Sequence, residues 1–149
     1  MYEFLENIAN EVAFTLLDLK KNGKINGVWN KTQFHADADK FAHNIIAKRL
    51  KAFDSSIPII SEENSVQNSS NIEEFWLIDP IDGTASYAEG FDGYVSQIAL
   101  IRKQIPVVAA VIAPQTKEYF FAELGSGSTK NNKRLKCSSR KDVTFIDNY

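Results

Sequence analysis

The fold of this chain is decided by the stretch Phe75-Trp76-Leu77-Ile78-Asp79-Pro80-Ile81-Asp82-Gly83-Thr84. Its apolar first half is typical of a buried strand that ends on Asp79, and a second aspartate, Asp82, follows three positions later. The upstream run Ile59-Ile60-Ser61-Glu62-Glu63 repeats this plan, because another apolar strand ends on carboxylates. If both strands belong to one sheet, their acids meet at one edge and offer the oxygen ligands that Mg²⁺ prefers. The two runs together predict a magnesium site, and with it phosphate chemistry.

The spacing of the two aspartates in the second run suits binding of a single metal ion by both. Asp79 and Asp82, placed around a tight turn, can face one point, with the carbonyl between them also available. Pro80 favours an extended backbone at Asp79, and Gly83 allows a sharp turn and a close approach to a ligand. Thr84 offers a hydroxyl and an N–H group, and a helix starting there would present further N–H groups to a phosphate. The alternative is an ordinary polar turn, and the second acid-ended strand favours the metal site over it.

Length and composition indicate a single domain over residues 1–149, with 44% hydrophobic and 24% charged residues. Two histidines and the lone Cys137 are too few for a zinc cluster or a disulfide framework, and a lone cysteine fits a reducing cytosol. The N-terminus is acidic where a signal peptide is basic, and the longest apolar run, Ile105 to Pro114, is too short for a bilayer. We therefore expect a cytoplasmic location and no membrane partner.

Apolar periodicity predicts an α+β fold. Two amphipathic helices are expected, from about Tyr2 to Lys21 and from about Ala38 to Phe53, with Asp37 and Asp39 at the start of the second. Later strands are expected at Tyr94 to Arg102, Ile105 to Ala113 and Lys117 to Glu123, and Val143 to Ile146 begins a further one. The almost wholly apolar Ile105 to Ala113 predicts a central strand buried on both faces. Helices followed by a strand meander indicate a layered sheet with two N-terminal helices.

Charge is distributed unevenly along the chain. Acidic residues exceed basic ones over the first 100 positions, and the reverse holds over the last 49. An acidic region suits cation binding, and metal ions would have to neutralise it before a phosphate could approach. The basic segment Lys130 to Lys141 has no aromatic residues between its charges, so we expect a solvated loop and no nucleic-acid partner. Nucleic-acid binding there would show steep salt dependence.

These motifs resemble the inositol monophosphatase family. Trp76 to Thr84 is similar to the signature W-x-x-D-P-[IL]-D-G-T, Ser61-Glu62-Glu63 to the motif [GS]-E-E, and Ala38-Asp39 to the end of V-T-x-A-D. The resemblance covers about Leu5 to Lys141, and it implies the N-terminal α+β half of the sugar-phosphatase and inositol monophosphatase fold. It also implies a Mg²⁺-dependent phosphomonoesterase with two or more metal ions.

The resemblance assigns roles by position. Glu62 would bind the first metal with Asp79 and the carbonyl of Ile81, and Asp79 and Asp82 would share the second. Asp39 and Thr84 would orient and deprotonate the attacking water, Glu63 would be an acid outside the ligand shell, and the backbone at Gly83 and Thr84 would hold the phosphate. For Asp39, a plain helix-start acid is an equal alternative. We expect a small phosphorylated metabolite as substrate and a homodimer.

Two departures from the family pattern stand out. His35 and Ala36 occupy the Val and Thr positions of V-T-x-A-D, so a hydroxyl that would help to position Asp39 is lost. The family also carries a second half with a W-D-x-A-A-G motif, whose aspartate completes the second metal site, and this sequence contains no such motif. We expect a half that binds Mg²⁺ weakly and turns over little substrate alone.

The sequence is also compatible with other classes of protein. A haloacid dehalogenase-type phosphatase would use D-x-D-G-T, but two residues separate Asp79 from Asp82. A non-catalytic metal- or phosphate-binding module, or an oligomerisation half, would suit an exposed strand Tyr119-Phe120-Phe121. Among family substrates, Ser61 and the ending Ala113-Pro114 favour bisphosphate nucleotides slightly over inositol monophosphate. Ala85 stands where many nucleotidases have lysine, which weakens that preference.

Overall fold

The computed structural model describes residues 1–22, 27–30, 33–62 and 72–139 and has an α+β architecture, as predicted. The predicted strand at Val143 to Ile146 lies outside the described residues. In chain order the elements are α1 (Tyr2–Lys21), β1 (Gly27–Asn30), β2 (Gln33–Ala36), α2 (Asp37–Phe53), β3 (Ile59–Ser61), β4 (Glu74–Asp82), α3 (Thr84–Ala88), β5 (Val95–Arg102), β6 (Ile105–Ala113), β7 (Glu118–Glu123), β8 (Gly127–Lys130) and β9 (Lys133–Arg134).

The two long helices pack side by side through their apolar faces. Residues at helical spacing are buried on both, among them Leu5, Val12 and Leu16 on α1 and Ala42, Ile46 and Leu50 on α2. Burying a valine, leucine or isoleucine side chain stabilises the fold by about 1.5–3 kcal/mol. The rings of Phe4 and Phe53 stack with centroids 4.6 Å apart, and Arg49 Nε donates to Glu11 Oε2 at 2.8 Å. These contacts make the helices antiparallel neighbours.

Seven strands form one sheet in the order β3-β4-β5-β6-β7-β8-β9. Strand β3 pairs in parallel with β4, and every later pair is antiparallel. From β5 onward, short turns connect the strands. Alternate residues of the sheet face α1 and α2 and form the core with them: Trp76, Ile78, Ile98, Leu100, Val108, Ala110, Ile112, Tyr119 and Phe121. None of the helices in the described residues is long and apolar enough to cross a membrane.

The prediction that β6 is buried on both faces is wrong. Val108, Ala110 and Ile112 are buried beneath the helices, whereas the residues between them are only half-buried. The reason is that α1 and α2 cover one face of the sheet, and no described element covers the other face at β6. Continuous apolar sequence alone does not distinguish a strand covered on both faces from one whose second face is apolar and open.

Strand β7 is not the exposed aromatic strand that one interpretation of the sequence required. Tyr119 and Phe121 are buried, at 8% and 7% exposure, and Phe120 is half-buried. The ring of Tyr2 on α1 lies edge-on to both, with centroids 5.5 Å from Tyr119 and 4.9 Å from Phe121. The N-terminal turn of α1 therefore covers the aromatic side chains that were expected to form an interface.

Candidate active site

The two acid-bearing strands lie next to each other, as the sequence predicts. Parallel pairing of β3 with β4 places Ile59 beside Trp76 and Ser61 beside Ile78. Glu62 follows Ser61 directly, and Asp79 follows Ile78, so both carboxylates leave the same edge of the sheet. The pairing of the two strands therefore places the carboxylates of Glu62 and Asp79 close together, although they belong to separate sequence motifs.

The backbone around Asp79 is more extended than expected. Strand β4 continues to Asp82, with a register shift against β5 between Asp79 and Asp82, so the predicted tight turn between the two aspartates is wrong. Pro80 lacks an N–H group and cannot donate to the ladder, which explains why the pairing is interrupted there. The turn itself comes later, at Gly83.

Asp79 is surrounded by other carboxylates. Burial, followed by the negative charges of Glu62, Asp82 and Asp39 in that order of effect, raises its pKa to about 6. Among the described residues its Oδ1 atom is buried and has no hydrogen-bond partner. A buried carboxylate oxygen without a partner is costly, and a bound cation would remove that cost. The surroundings of Asp79 therefore suit a metal ligand.

Asp82 is held by the neighbouring strand. Gln97 Nε2 on β5 donates a hydrogen bond to Asp82 Oδ2 at 2.7 Å, and Gln97 stands opposite Asp79 in the register. Sequence reasoning missed Gln97 as part of this region. The available signal was a long polar side chain within the apolar strand Val95–Arg102, but only the register reveals which acid it meets.

Asp39 is brought to the same site by α2. It lies in the first turn of that helix and is 1% exposed, and Thr84 Oγ1 lies 3.2 Å from Asp39 Oδ1. The same Thr84 oxygen lies 2.9 Å from the carbonyl oxygen of Ile81. A hydroxyl has one proton, so Thr84 shares it between these two acceptors. Asp39 therefore lies next to Thr84 at the predicted site, and its role in catalysis stays a prediction.

Gly83 makes the sharp turn that the sequence predicts for it. Its φ is 89°, in the left-handed region, and it immediately precedes α3, the short helix expected at Thr84. A Cβ atom added at Gly83 would lie 2.8 Å from the carbonyl oxygen of Gly93. Only glycine fits this position without movement of the backbone.

An apolar groove adjoins the carboxylates on the face of the sheet away from the helices. It has a volume of about 380 Å³, with Glu62 and Asp79 at one end and Leu77, Ala99 and Val111 among the residues of its floor. Leu77 is 46% exposed there. The site is therefore open along the sheet, in contrast to the closed side beneath α1 and α2.

The predicted metal ligands lie in the same region, but their side chains do not converge on a single position where a metal ion could bind. In the described ranges, no three acidic, histidine or cysteine side chains lie close enough together to hold a metal ion. Glu63 lies outside the described residues, as do the side chains of His35 and Ala36. The structure thus brings Glu62, Asp79 and Asp82 to one region, and their roles as ligands stay predictions.

Comparison with known proteins identifies the class to which this fold and this acidic site belong. The family model described as the inositol monophosphatase family matches residues 1–146. The Nus factor SuhB of Xylella fastidiosa is 33% identical over 114 residues, which are 76% of this chain and 41% of SuhB. The 3′(2′),5′-bisphosphate nucleotidase CysQ of Haemophilus influenzae is 32% identical over 114 residues, or 74% of this chain and 42% of CysQ.

Solved structures agree with this assignment. The IMPase of Thermotoga maritima superposes with a TM-score of 0.82 at 26% identity over 93% of this chain and 54% of that protein. The suhB protein of Bartonella henselae has a TM-score of 0.84 at 23% identity, which shows the shared fold. The chain belongs to the inositol monophosphatase family, and it spans about half the length of these structures and less than half of the curated relatives it matches.

Proposed function

We propose that the protein serves Mg²⁺-dependent hydrolysis of a small phosphomonoester by an activated water molecule. Family membership supports phosphatase-type chemistry, and relatives include both a bisphosphate nucleotidase and proteins named inositol monophosphatase. The observation that carries the proposal is the buried, unpartnered Oδ1 of Asp79 among the negative charges of Glu62, Asp82 and Asp39. Inositol monophosphate and 3′(2′),5′-bisphosphate nucleotides are the proposed substrates.

The donor set fits magnesium better than a softer metal. Carboxylate and carbonyl oxygens are the ligands that Mg²⁺ takes, and histidine and cysteine are not needed. Glu62, Asp79 and the carbonyl of Ile81 would hold one ion, and Asp79 with Asp82 a second. Ile81 keeps a lone pair for this purpose, because Thr84 occupies only one of the two on its carbonyl oxygen. Bound Mg²⁺ would stabilise charge on the phosphate and lower the pKa of a ligand water.

Thr84 and Asp39 are suited to receive a proton from the attacking water. When Thr84 donates its own proton to Asp39, its oxygen presents lone pairs toward the site and can accept a hydrogen bond from water. Asp39 is buried in the first turn of α2 within reach of the Thr84 hydroxyl, so it could take up that proton. Gly83 and the backbone of Thr84 would hold the phosphate, and Glu63 would support the ligands from outside their shell.

The length of the relatives bears on how much of this activity residues 1–149 carry alone. We expect weak Mg²⁺ binding and little turnover, with full activity only when the other half of a family member is present. The second candidate is a metal- or phosphate-binding module without turnover. We propose a cytoplasmic protein that forms a homodimer.

Phosphate release provides the test of this function. The chain is assayed with inositol monophosphate and with adenosine 3′,5′-bisphosphate, with and without Mg²⁺ and a C-terminal half supplied as a separate polypeptide. We expect Mg²⁺-dependent release with the added half and little without it. Saturable Mg²⁺ binding with no release under either condition would support the binding module and contradict the enzyme.

A further inference from the structure

Helix α2 contacts both acid-bearing strand ends through side chains one turn apart. Asp39 meets Thr84, just after β4, and His43 Nδ1 lies 3.2 Å from Ser61 Oγ, at the end of β3. Positions four apart lie on the same face of a helix, which explains why both side chains point toward the site. We propose that His43 is a positioning residue that fixes the end of β3 and, through it, the carboxylate of Glu62. Its importance for metal binding rests on the function proposed above.

Strand β3 depends on contacts outside its own pairing. It has three residues, lies at the edge of the sheet and, among the described strands, pairs with β4 alone. Short edge strands contribute little stability from the ladder itself. Ser61 is nevertheless 3% exposed, and its hydroxyl faces the half-buried ring of His43. The His43–Ser61 hydrogen bond is therefore a tie between β3 and the helical layer at the last residue of the strand.

The position of Glu62 follows from that of Ser61. Glu62 is exposed and begins the turn after the strand, and it lies close enough to Asp79 to raise the pKa of that carboxyl group. The two carboxylates repel each other, so the strand end must be held if Glu62 is to stay beside Asp79. Loss of the His43–Ser61 bond would let Glu62 move away, and a metal ion would then have to order it again.

The test uses four variants of the chain: His43→Ala, Ser61→Ala, their combination, and His43→Asn, whose side-chain amide can donate or accept a hydrogen bond in the place of Nδ1. Asn44→Ala is the matched control, because Asn44 is the next residue of the same helix and is exposed. The first readout is the ¹⁵N order parameter and amide shift of Glu62 without metal, and the second is the Mg²⁺ dissociation constant from calorimetry. Thermal midpoints report any general loss of stability.

We expect His43→Ala and Ser61→Ala each to lower the Glu62 order parameter from about 0.85 toward about 0.6. Each should weaken Mg²⁺ binding about threefold to tenfold, the range that one hydrogen bond provides. The combined variant should add little to either single change, and His43→Asn should restore both readouts. Asn44→Ala should leave both unchanged.

The proposal is overturned if Glu62 keeps its order parameter in His43→Ala while only the thermal midpoint falls. It is also overturned if His43→Asn behaves like His43→Ala, since packing of the ring would then be the cause. If His43→Ala does not fold, the Glu62 order parameters of Ser61→Ala and His43→Asn test the proposal by the same criteria. A wild-type chain that binds no Mg²⁺ contradicts the proposed function, and the Glu62 order parameters then decide the role of His43 alone.

Discussion

Thr84 Oγ1 lies 3.2 Å from Asp39 Oδ1, a contact that joins residues 45 positions apart in the chain. It links the first turn of α2 to the first residue of α3 and places a buried carboxylate beside the turn that follows β4. Because the same hydroxyl also approaches the carbonyl of Ile81 at 2.9 Å, Thr84 connects a proposed proton acceptor with a proposed metal ligand.

Thr84→Ala should therefore affect the rate more than the metal affinity. We expect Mg²⁺ affinity within twofold of wild type and, in the complemented form, a rate of phosphate release lower by about a hundredfold, because a positioned proton acceptor contributes on that scale. Thr84→Ser keeps the hydroxyl and should retain most of the rate. An unchanged rate in Thr84→Ala would reduce Thr84 to a turn residue.

Gly83→Ala should destabilise the fold more than Gly90→Ala. Both glycines have positive φ, 89° and 86°, so both substitutions incur the left-handed penalty of about 1–2 kcal/mol. Only at Gly83 would the new Cβ meet backbone, 2.8 Å from the oxygen of Gly93, whereas nothing lies within 4 Å of the new atom at Gly90. Urea unfolding measures both, and equal losses would show that the contact with Gly93 relaxes easily.

The stability of the metal-free chain should depend on pH through Asp79. Its pKa is raised from 3.8 to about 6 in the folded state, so the folded protein holds this proton more tightly than the unfolded chain does. The resulting stabilisation is complete below about pH 4 and is lost as the pH rises through about 6. Asp79 is half-buried, and solvent screening reduces the expected loss to about 1 kcal/mol.

The matched variant for this pH effect is Asp79→Asn, which removes the charge and keeps the shape. At pH 7 its free energy of unfolding should exceed that of the wild type by about 1 kcal/mol, and near pH 4 the two should be equal. Urea titrations at several pH values measure the difference. A difference that does not change between pH 4 and pH 7 would mean that Asp79 titrates normally in the folded chain.

Asp82→Asn should abolish metal-dependent phosphate release in the complemented form without disturbing the fold. Asp82 is exposed, and Gln97 can still donate to the amide oxygen of the variant, so the free energy of unfolding should stay within about 0.5 kcal/mol of wild type. Gln97→Ala is the companion variant, because it frees the carboxylate and leaves its charge. Normal turnover in Asp82→Asn would remove Asp82 from the site.

Much of the architecture was predictable because it follows from periodicity. The two helices repeat their apolar residues at helical spacing, β5 alternates, and β6 is one continuous apolar run. The structure confirms these elements, and β7 with them, within one or two residues. Glu62 and Asp79 could be placed together because two apolar runs that end on acids form a parallel pair. The spacing of the acidic residues does not assign a role to each of them, and the predicted roles came from the resemblance to the family motifs.

The remaining features depend on partners that the sequence does not specify. The one-sided burial of β6 follows from where the helices lie, and a uniformly apolar run carries no information about that. The contacts of Gln97 with Asp82 and of His43 with Ser61 are set by strand register and helix rotation. The extension of β4 beyond Asp79 reflects its pairing with β5, which outweighs the turn preference of the sequence Asp-Pro-x-Asp-Gly.

The central claim is that Glu62, Asp79 and Asp82 form a magnesium site, and a calorimetric titration of the chain with Mg²⁺ at pH 7.5 tests it most directly. Wild-type protein should show saturable binding, Asp79→Asn should show none, and Glu74→Gln, which changes an acid at the far end of β4, should bind like wild type. Absence of saturable binding in the wild type, or equal binding in Asp79→Asn, would contradict the account.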